Sequence, residues 1–314
     1  FTIVRFPHTF FSCDCPGCPD VEMARQKRYA WIDSMALHHD NVAANQSGLL
    51  FEGGSMLGAI AGDIIGSVYE ARPTKRKDFP LFQAGSRFTD DSVLTIAVAQ
   101  AVMSGRSYVD AIRALGRKYP NAGYGGTFFR WLFSDTYKPY NSWGNGSAMR
   151  VSPIGFAFDD PDRVLSEAAR SAMITHSHPE GIKGAQATAL SVHVARTTRN
   201  KAHVKQEIST RFKYDLDRTV DQIRPDYCFD VSCQGSVPEA IIAFLDSSSY
   251  EDAVRNAVSL GGDSDTLACI AGGIAEAYYG HIPGTIVEEV KVRLDSELWD
   301  ITERFCCEFV AECG

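Results

Sequence analysis

The sequence predicts an all-α protein, a compact bundle of many helices. Two observations lead there. From Met56 onward, apolar and small residues recur at helical spacing, first in Leu57, Ile60, Ile64, Ile65 and Val68. Nowhere do Val, Ile, Thr and aromatic residues alternate with the period of two that a half-buried strand shows, so no sheet is expected. The composition, 314 residues with 45% hydrophobic and 22% charged, is that of a globular chain of one large or two modest domains.

Residues 1–55 read as an arm distinct from the main domain, 56–314. The stretch Phe10 to Pro19 is turn-rich, Val21 to His39 can form one helix, and Asn45–Gly48 and Glu52–Ser55 resemble linker. Cys13, Cys15 and Cys18 form a Cys-x-Cys-x-x-Cys run that, with His38 or His39, has the donors for zinc. Its first spacing is poor for a zinc knuckle, so thiols in a reducing cytoplasm are preferred for the nine cysteines. The arm is read either as an added packing layer or as a partner-binding element.

In the main domain the first helix ends near Pro73, and Lys75–Arg76–Lys77 reads as a solvated loop. Asp91 to Val102 is a second helix, buried on most faces, and Tyr108 to Leu115 a third, stopped by Pro120. Residues 121–150 read as glycine-rich and irregular, too dense in glycine to be mere connection. Asp160 followed by Pro161 is an N-cap with Pro at N1, opening a helix to Ala172. Further helices are expected at Glu180–Thr197, Val237–Asp246, Tyr250–Ser259, Leu267–Tyr279 and Gly284–Phe309.

A formal charge of −8 argues against a nucleic-acid or anionic-membrane binder. No apolar run reaches the roughly 18 residues that span a bilayer. A cytoplasmic protein is expected.

The chemistry concentrates at two helix starts. Gly261–Gly262–Asp263–Ser264–Asp265–Thr266 leads into an Ala-rich apolar helix, and Phe88–Thr89–Asp90–Asp91–Ser92 leads into another. Either motif alone is a common helix cap, since Asp, Ser and Thr satisfy the free N–H groups there. Two of them change the reading. If they converge, four carboxylates and two hydroxyls share one site, and four like charges cannot stay ionised together without cations. Hard oxygen donors suit a hard divalent cation, above all Mg²⁺, and two ions would neutralise the set.

Glu70 closes the first helix, and its plain reading is a solvated helix end. Asp63, inside the same helix, needs donors if buried and reads equally as a support for the site or as a structural residue. His176 and His178, two residues apart, do not share a helix face, so a zinc pair is not indicated; a polar loop donating to a ligand fits better. No G-x-S-x-G or P-loop signature is present.

Five motifs in this order resemble the ADP-ribosylglycohydrolase family, from about Met56 to Tyr279 and on toward the end. They are Gly62–Asp63 with Gly66–Ser67–Val68–Tyr69–Glu70; Thr89–Asp90–Asp91–Ser92; Gly123–Tyr124–Gly125–Gly126; Gly144–Asn145–Gly146–Ser147–Ala148–Met149–Arg150 with Thr175–His176–Ser177–His178; and Gly261 to Thr266. Each is weak alone; in order they are specific.

The resemblance implies an orthogonal all-α bundle with a binuclear metal centre. By the same implication, Thr89, Asp90, Asp91, Asp263, Asp265 and Thr266 hold two Mg²⁺, with Mn²⁺ as an alternative. Glu70 is then the acidic residue near the scissile bond, and Asp90 and Asp263 join it as catalytic candidates. Gly123, Tyr124, Gly125 and Gly126, with Asn145, Gly146, Ser147, Ala148 and Met149, cradle the ribose and diphosphate through backbone N–H groups, and His176 contacts the phosphate or adenosine end. Ser92 stands where many members have Thr.

The implied function is hydrolysis of the bond joining ADP-ribose to a protein side chain, arginine first and serine second. Residues 1–55 have no counterpart in the minimal family core. They suit binding to an ADP-ribosylating toxin, against which some bacterial members give immunity; a binding protein acting through this arm is the competing reading. Deleting residues 1–55 separates the two. Partner binding lost with hydrolysis retained is the outcome expected for an arm that serves the partner.

Overall fold

The computed structural model describes residues 56–309, and its elements follow from local sequence signals. Helix α1 (Leu57–Ala71) is followed by α2 (Asp90–Ser104), which opens on Thr89: the Thr89 hydroxyl accepts the Asp91 N–H. Gly105, at φ +67°, ends α2 in the left-handed region that favours glycine. Helix α3 (Tyr108–Lys118) stops before Pro120, and α4 (Gly126–Phe133) follows. A 3-10 turn at Asn145–Ser147 precedes α5 (Ser152–Ala157). Helix α6 (Pro161–Met173) has the expected cap, the Asp160 carboxylate accepting from the N–H groups of Asp162 and Arg163. Next come α7 (Pro179–Thr198), α8 (Lys201–Phe212), α9 (Val220–Ile223), α10 (Cys233–Leu245) and α11 (Tyr250–Ser259). The last are α12 (Ser264–Tyr279), α13 (Gly284–Arg293) and α14 (Ser296–Phe309). Among the described residues there is no strand, only an isolated bridge between Gly144 and Ser232.

Four differences from the sequence reading have physical causes. The glycine-rich region is not wholly irregular, because α4 buries Phe128, Trp131 and Leu132 at helical spacing. Helix α8 is polar overall, yet Val204, Ile208 and Phe212 form one buried stripe and Asn200 caps it. Helix α10 starts at Cys233 and carries Pro238 inside, its first turn held by the Ser232 hydroxyl accepting the Gly235 N–H. The expected helix from Gly284 to Phe309 is two, since Asp295 breaks it by accepting the Leu298 N–H.

The centre is the pair α1 and α12, buried along nearly their whole lengths. Gly58, Gly62 and Gly66 lie one turn apart on α1. A Cβ built on them would stand 2.6 Å from Gly272 O, 2.0 Å from Ala268 O and 2.4 Å from Ser264 O. Backbone therefore meets backbone, a contact that any side chain would prevent. Glu276 of α12 accepts the Gly58 N–H at 2.8 Å, and the Tyr250 hydroxyl donates to Gly58 O at 2.8 Å, fixing the register. Helices α7, α10 and α11 pack around α12, and α2 lies beside α1.

The Lys75–Arg76–Lys77 loop is solvated as expected, Lys75 and Arg76 being exposed, yet Lys75 also docks on the fold. Its ammonium donates to the carbonyls of Tyr227 and Leu260, beyond the end of α11. Cys228, Cys233 and Cys269 carry free thiols. The arm, its cysteine cluster and Cys313 lie outside the described residues. No described helix is long and apolar enough to cross a membrane.

The α1–α12 contact has a direct test. Gly62→Ala places a methyl against Ala268 O and is expected to destabilise the protein by about 3 kcal/mol in urea unfolding. Gly125→Ala, with nothing within 4 Å of the new Cβ, is expected to change stability by no more than about 0.5 kcal/mol.

Candidate functional site

Three segments meet where Gly66 of α1 touches the first turn of α12. Asp63 and Glu70 of α1 stand on either side of that contact in sequence. Both expected helix starts converge on it. Two carboxylate trios result: Asp63, Asp91 and Asp265 in one, Glu70, Asp263 and Asp265 in the other, each with oxygens within 4.8 Å of one another. Asp265 belongs to both, so the two trios adjoin through one residue. All five residues are buried, Glu70 included, and its reading as a solvated helix end is corrected. Asp90 sits half-buried at the edge, its N–H donating to Ala122 O at 2.8 Å.

The electrostatics are those of a site built for cations. The Asp91 carboxyl, 2% exposed, is held well above the usual carboxylate range. Burial is the main cause, followed by Asp265, Asp63, Asp90 and Asp263. Its Oδ1 has no hydrogen-bond partner, while Oδ2 faces the hydroxyls of Thr89 at 3.4 Å and Thr266 at 3.3 Å. Burial also raises Asp63, against hydrogen bonds from Ser92 and Thr89 that lower it. An unpartnered carboxylate oxygen among four other carboxylates is what a divalent cation satisfies. The donor set is oxygen throughout, which suits Mg²⁺ or Mn²⁺ better than zinc. The nearby Cys269 thiol is pushed well up by burial and by Asp91, Asp63 and Asp265, and it donates to Met149 O at 3.3 Å. The two helix N-termini add partial positive charge beneath Asp91 and Asp265.

The walls hold these groups in place. Asn145 Nδ2 donates to Asp263 Oδ2 at 2.8 Å and to Ser236 Oγ at 3.1 Å, and Ser236 donates on to Asp230 O. Gly261 takes φ +70°, and Gly262 lies where a Cβ would be 2.3 Å from the Tyr227 ring. That close approach is why two glycines precede Asp263.

The glycine-rich segments form the rim. Gly123 takes φ +106°, and Tyr124 stacks on Phe128 at 5.3 Å while donating to Gly116 O. Gly125 and Gly126 face open space. At the second segment the Asn145 N–H donates to Val231 O, and those of Ala148 and Met149 donate to Asn145 O. Of the five amides of this second segment expected to cradle a ligand, those of Asn145, Ala148 and Met149 are thus engaged within the protein. Ser147 donates to Gly181 O at 2.7 Å, and Met149 is buried, its carbonyl accepting from Thr95 and Cys269.

His176 is buried, its Nδ1 2.7 Å from the Thr175 hydroxyl and its Nε2 3.3 Å from where a Gly146 Cβ would stand. Burial, then Arg150, hold its pKa well below the usual value, so it offers a neutral imidazole and not a charge. His178 instead caps α7, accepting the Glu180 N–H. Trp143, half-exposed, lies edge-on to His178 at 5.7 Å.

Sequence reading left Asp63 undecided and missed the side-chain role of Asn145. A lone carboxylate in an otherwise apolar helix was the available signal for Asp63. Nothing local marks Asn145, whose partner Asp263 lies 118 residues away.

Comparison with known proteins agrees with this architecture. Residues 53–313 match the model of the ADP-ribosylglycohydrolase family, and the chain belongs to that family. The ADP-ribosylhydrolase ARH3 of Mus musculus is 29% identical over 72% of this chain and 83% of its own length. The ADP-ribosylarginine hydrolase Tri1 of Pseudomonas putida is 26% identical, covering 79% of this chain and 77% of its own. A solved ADP-ribosylglycohydrolase-related protein complex shares the fold, with a TM-score of 0.63, 24% identity, and coverage of 81% of this chain and 95% of that one. The chain is thus a hydrolase of the ADP-ribosylglycohydrolase class, with an acidic cluster able to bind divalent metal.

The raised Asp91 pKa has a consequence for stability. A carboxyl raised on folding binds more protons when folded, so its contribution falls as pH rises from the unfolded value near 4 through the raised folded one. Asp91→Asn is therefore expected to raise the melting temperature of the metal-stripped chain at pH 7 by about 2–4 °C. It should also remove most of the further rise that Mg²⁺ gives the parent. Differential scanning calorimetry with and without Mg²⁺ reads both.

Proposed function

We propose that this chain is a Mg²⁺-dependent hydrolase of the N-glycosidic bond between ADP-ribose and arginine on proteins. The observation that carries the reading is the pair of carboxylate trios sharing Asp265, with the unpartnered Asp91 oxygen inside, at the foot of a glycine-lined rim. The similarity to the Pseudomonas ADP-ribosylarginine hydrolase supports arginine as the acceptor.

Thr89, Asp90, Asp91, Asp263, Asp265 and Thr266 would hold two divalent cations, with Glu70 at the outer trio. When bound, the cations neutralise the carboxylates and polarise substrate oxygens. The chain's own residues do the rest. The open backbone at Gly125 and Gly126, with the Gly146–Ser147 edge, lets the ribose and diphosphate approach closely. Neutral His176 adds a hydrogen bond without a competing charge. Trp143 offers a ring face to the base. Asn145 keeps Asp263 aimed inward.

Water adds across the C1″–N bond: hydroxide to C1″, a proton to the departing guanidine nitrogen, yielding free ADP-ribose and unmodified arginine. Positive charge builds on the sugar as the bond breaks, and the buried carboxylates stabilise it. Glu70 is the candidate to move the proton.

Release of ADP-ribose from arginine-ADP-ribosylated protein tests this, with Mg²⁺, with EDTA, and with Asp263→Ala. Expected are intact ADP-ribose, loss of activity in EDTA, and a drop of about 10²–10³-fold for the variant. Release from a serine-linked substrate alone would move the acceptor to serine. Release of AMP would overturn the reading in favour of diphosphate cleavage.

A further inference from the structure

Asp63 is within reach of a cation at Asp91 and Asp265, yet its own oxygens are occupied. Oδ2 accepts the Thr89 N–H at 2.8 Å, the Ser92 N–H at 3.0 Å and the Ser92 hydroxyl at 2.5 Å. Oδ1 accepts the Thr89 hydroxyl at 2.6 Å. A carboxylate has about four in-plane acceptor positions; the start of α2 supplies four donors, three crowded on Oδ2 and one on Oδ1, so both oxygens are already engaged.

The consequence falls on Thr89. Its hydroxyl has one proton and two lone pairs. The proton has two acceptors in view, Asp63 Oδ1 at 2.6 Å and Asp91 Oδ2 at 3.4 Å, and the shorter contact takes it. One lone pair receives the Asp91 N–H at 3.2 Å, the helix cap. The remaining lone pair lies on the side of Asp91.

We propose that Asp63 is a positioning residue and not a ligand: by taking the Thr89 proton and both N–H groups at the start of α2, it makes Thr89 Oγ1 present a bare lone pair to a divalent cation seated at Asp91 and Asp265. The inference deepens the metal-site reading above and rests on it. Without Asp63, the Thr89 proton turns toward Asp91 and occupies the place a cation needs.

The test uses the full chain, stripped of metal, and reads Mn²⁺ binding from the free-ion signal in electron paramagnetic resonance, with no dependence on turnover. Thr89→Ala is expected to weaken Mn²⁺ binding about 10-fold, and Asp63→Asn about 10–100-fold. Added to Asp63→Asn, Thr89→Ala should cost less than about threefold more, because the lone pair is already misdirected. The same tenfold loss in both backgrounds would make Asp63 an independent ligand and overturn the proposal. Mn²⁺ affinity unchanged in Asp63→Asn, with only the melting temperature lowered, would reduce it to a structural role.

If Asp63→Asn does not fold, the other side of the network decides. Ser92→Ala and Thr89→Ser keep the Thr89–Asp63 hydrogen bond and should stay within about threefold of the parent; Ser92→Ala losing as much as Thr89→Ala overturns the proposal. A chain that shows the expected coupling but releases no ADP-ribose keeps this inference and loses the proposed reaction. A parent chain that binds no Mn²⁺ overturns both.

Discussion

Backbone contact between α1 and α12 is the constraint on which the site depends. Three glycines on one face of α1 let its main chain touch Ser264, Ala268 and Gly272 of α12, with no side chains between. The last of these contacts is at the first turn of α12, which carries Asp265. Gly66 lies between Asp63 and Glu70 in sequence, so the approach that closes the core also assembles both carboxylate trios. Packing and chemistry share the same atoms here. A methyl group on this face would push on the core and the acidic cluster together.

The cluster opposes the fold's stability, and the surrounding groups are arranged to contain it. Five buried carboxylates repel one another and resist desolvation. Two helix N-termini offset part of that repulsion. Hydrogen bonds engage Asp63 from Thr89 and Ser92 and Asp263 from Asn145, while one oxygen of Asp91 remains without a partner. A cation is the natural completion. The donors gathered here are oxygens throughout, the kind that suit hard cations.

The sequence was most legible where local chemistry decides. Asp160 with Pro161 marked the start of α6, and the limits of α11 at Tyr250 and Ser259 were read as they stand. The two acidic helix starts were recognisable because each joins caps to carboxylates, and their meeting was the expectation that mattered most. Polar α8 escaped because its stripe is only Val204, Ile208 and Phe212. The last helix was read as continuous from Gly284 to Phe309, whereas Asp295 interrupts it and accepts the Leu298 N–H at the start of α14. Position alone made Glu70 a solvated helix end, and only the family resemblance drew it to the site; Lys75 was read as solvated, which it is, but its carbonyl partners were not foreseen. What encloses Glu70, and what draws Lys75 to Tyr227 and Leu260, are segments distant in sequence, which no local pattern reveals.

The central proposal is that the two carboxylate trios joined by Asp265 each take a divalent cation. It is tested most directly by titrating the metal-stripped chain with Mn²⁺ and recording both stoichiometry and the spectrum of the bound ions. Two ions per chain with exchange-coupled spins, reduced to one weakly held ion by Asp265→Ala, is the result this account requires. One ion in the parent, or two that are magnetically independent, would contradict it.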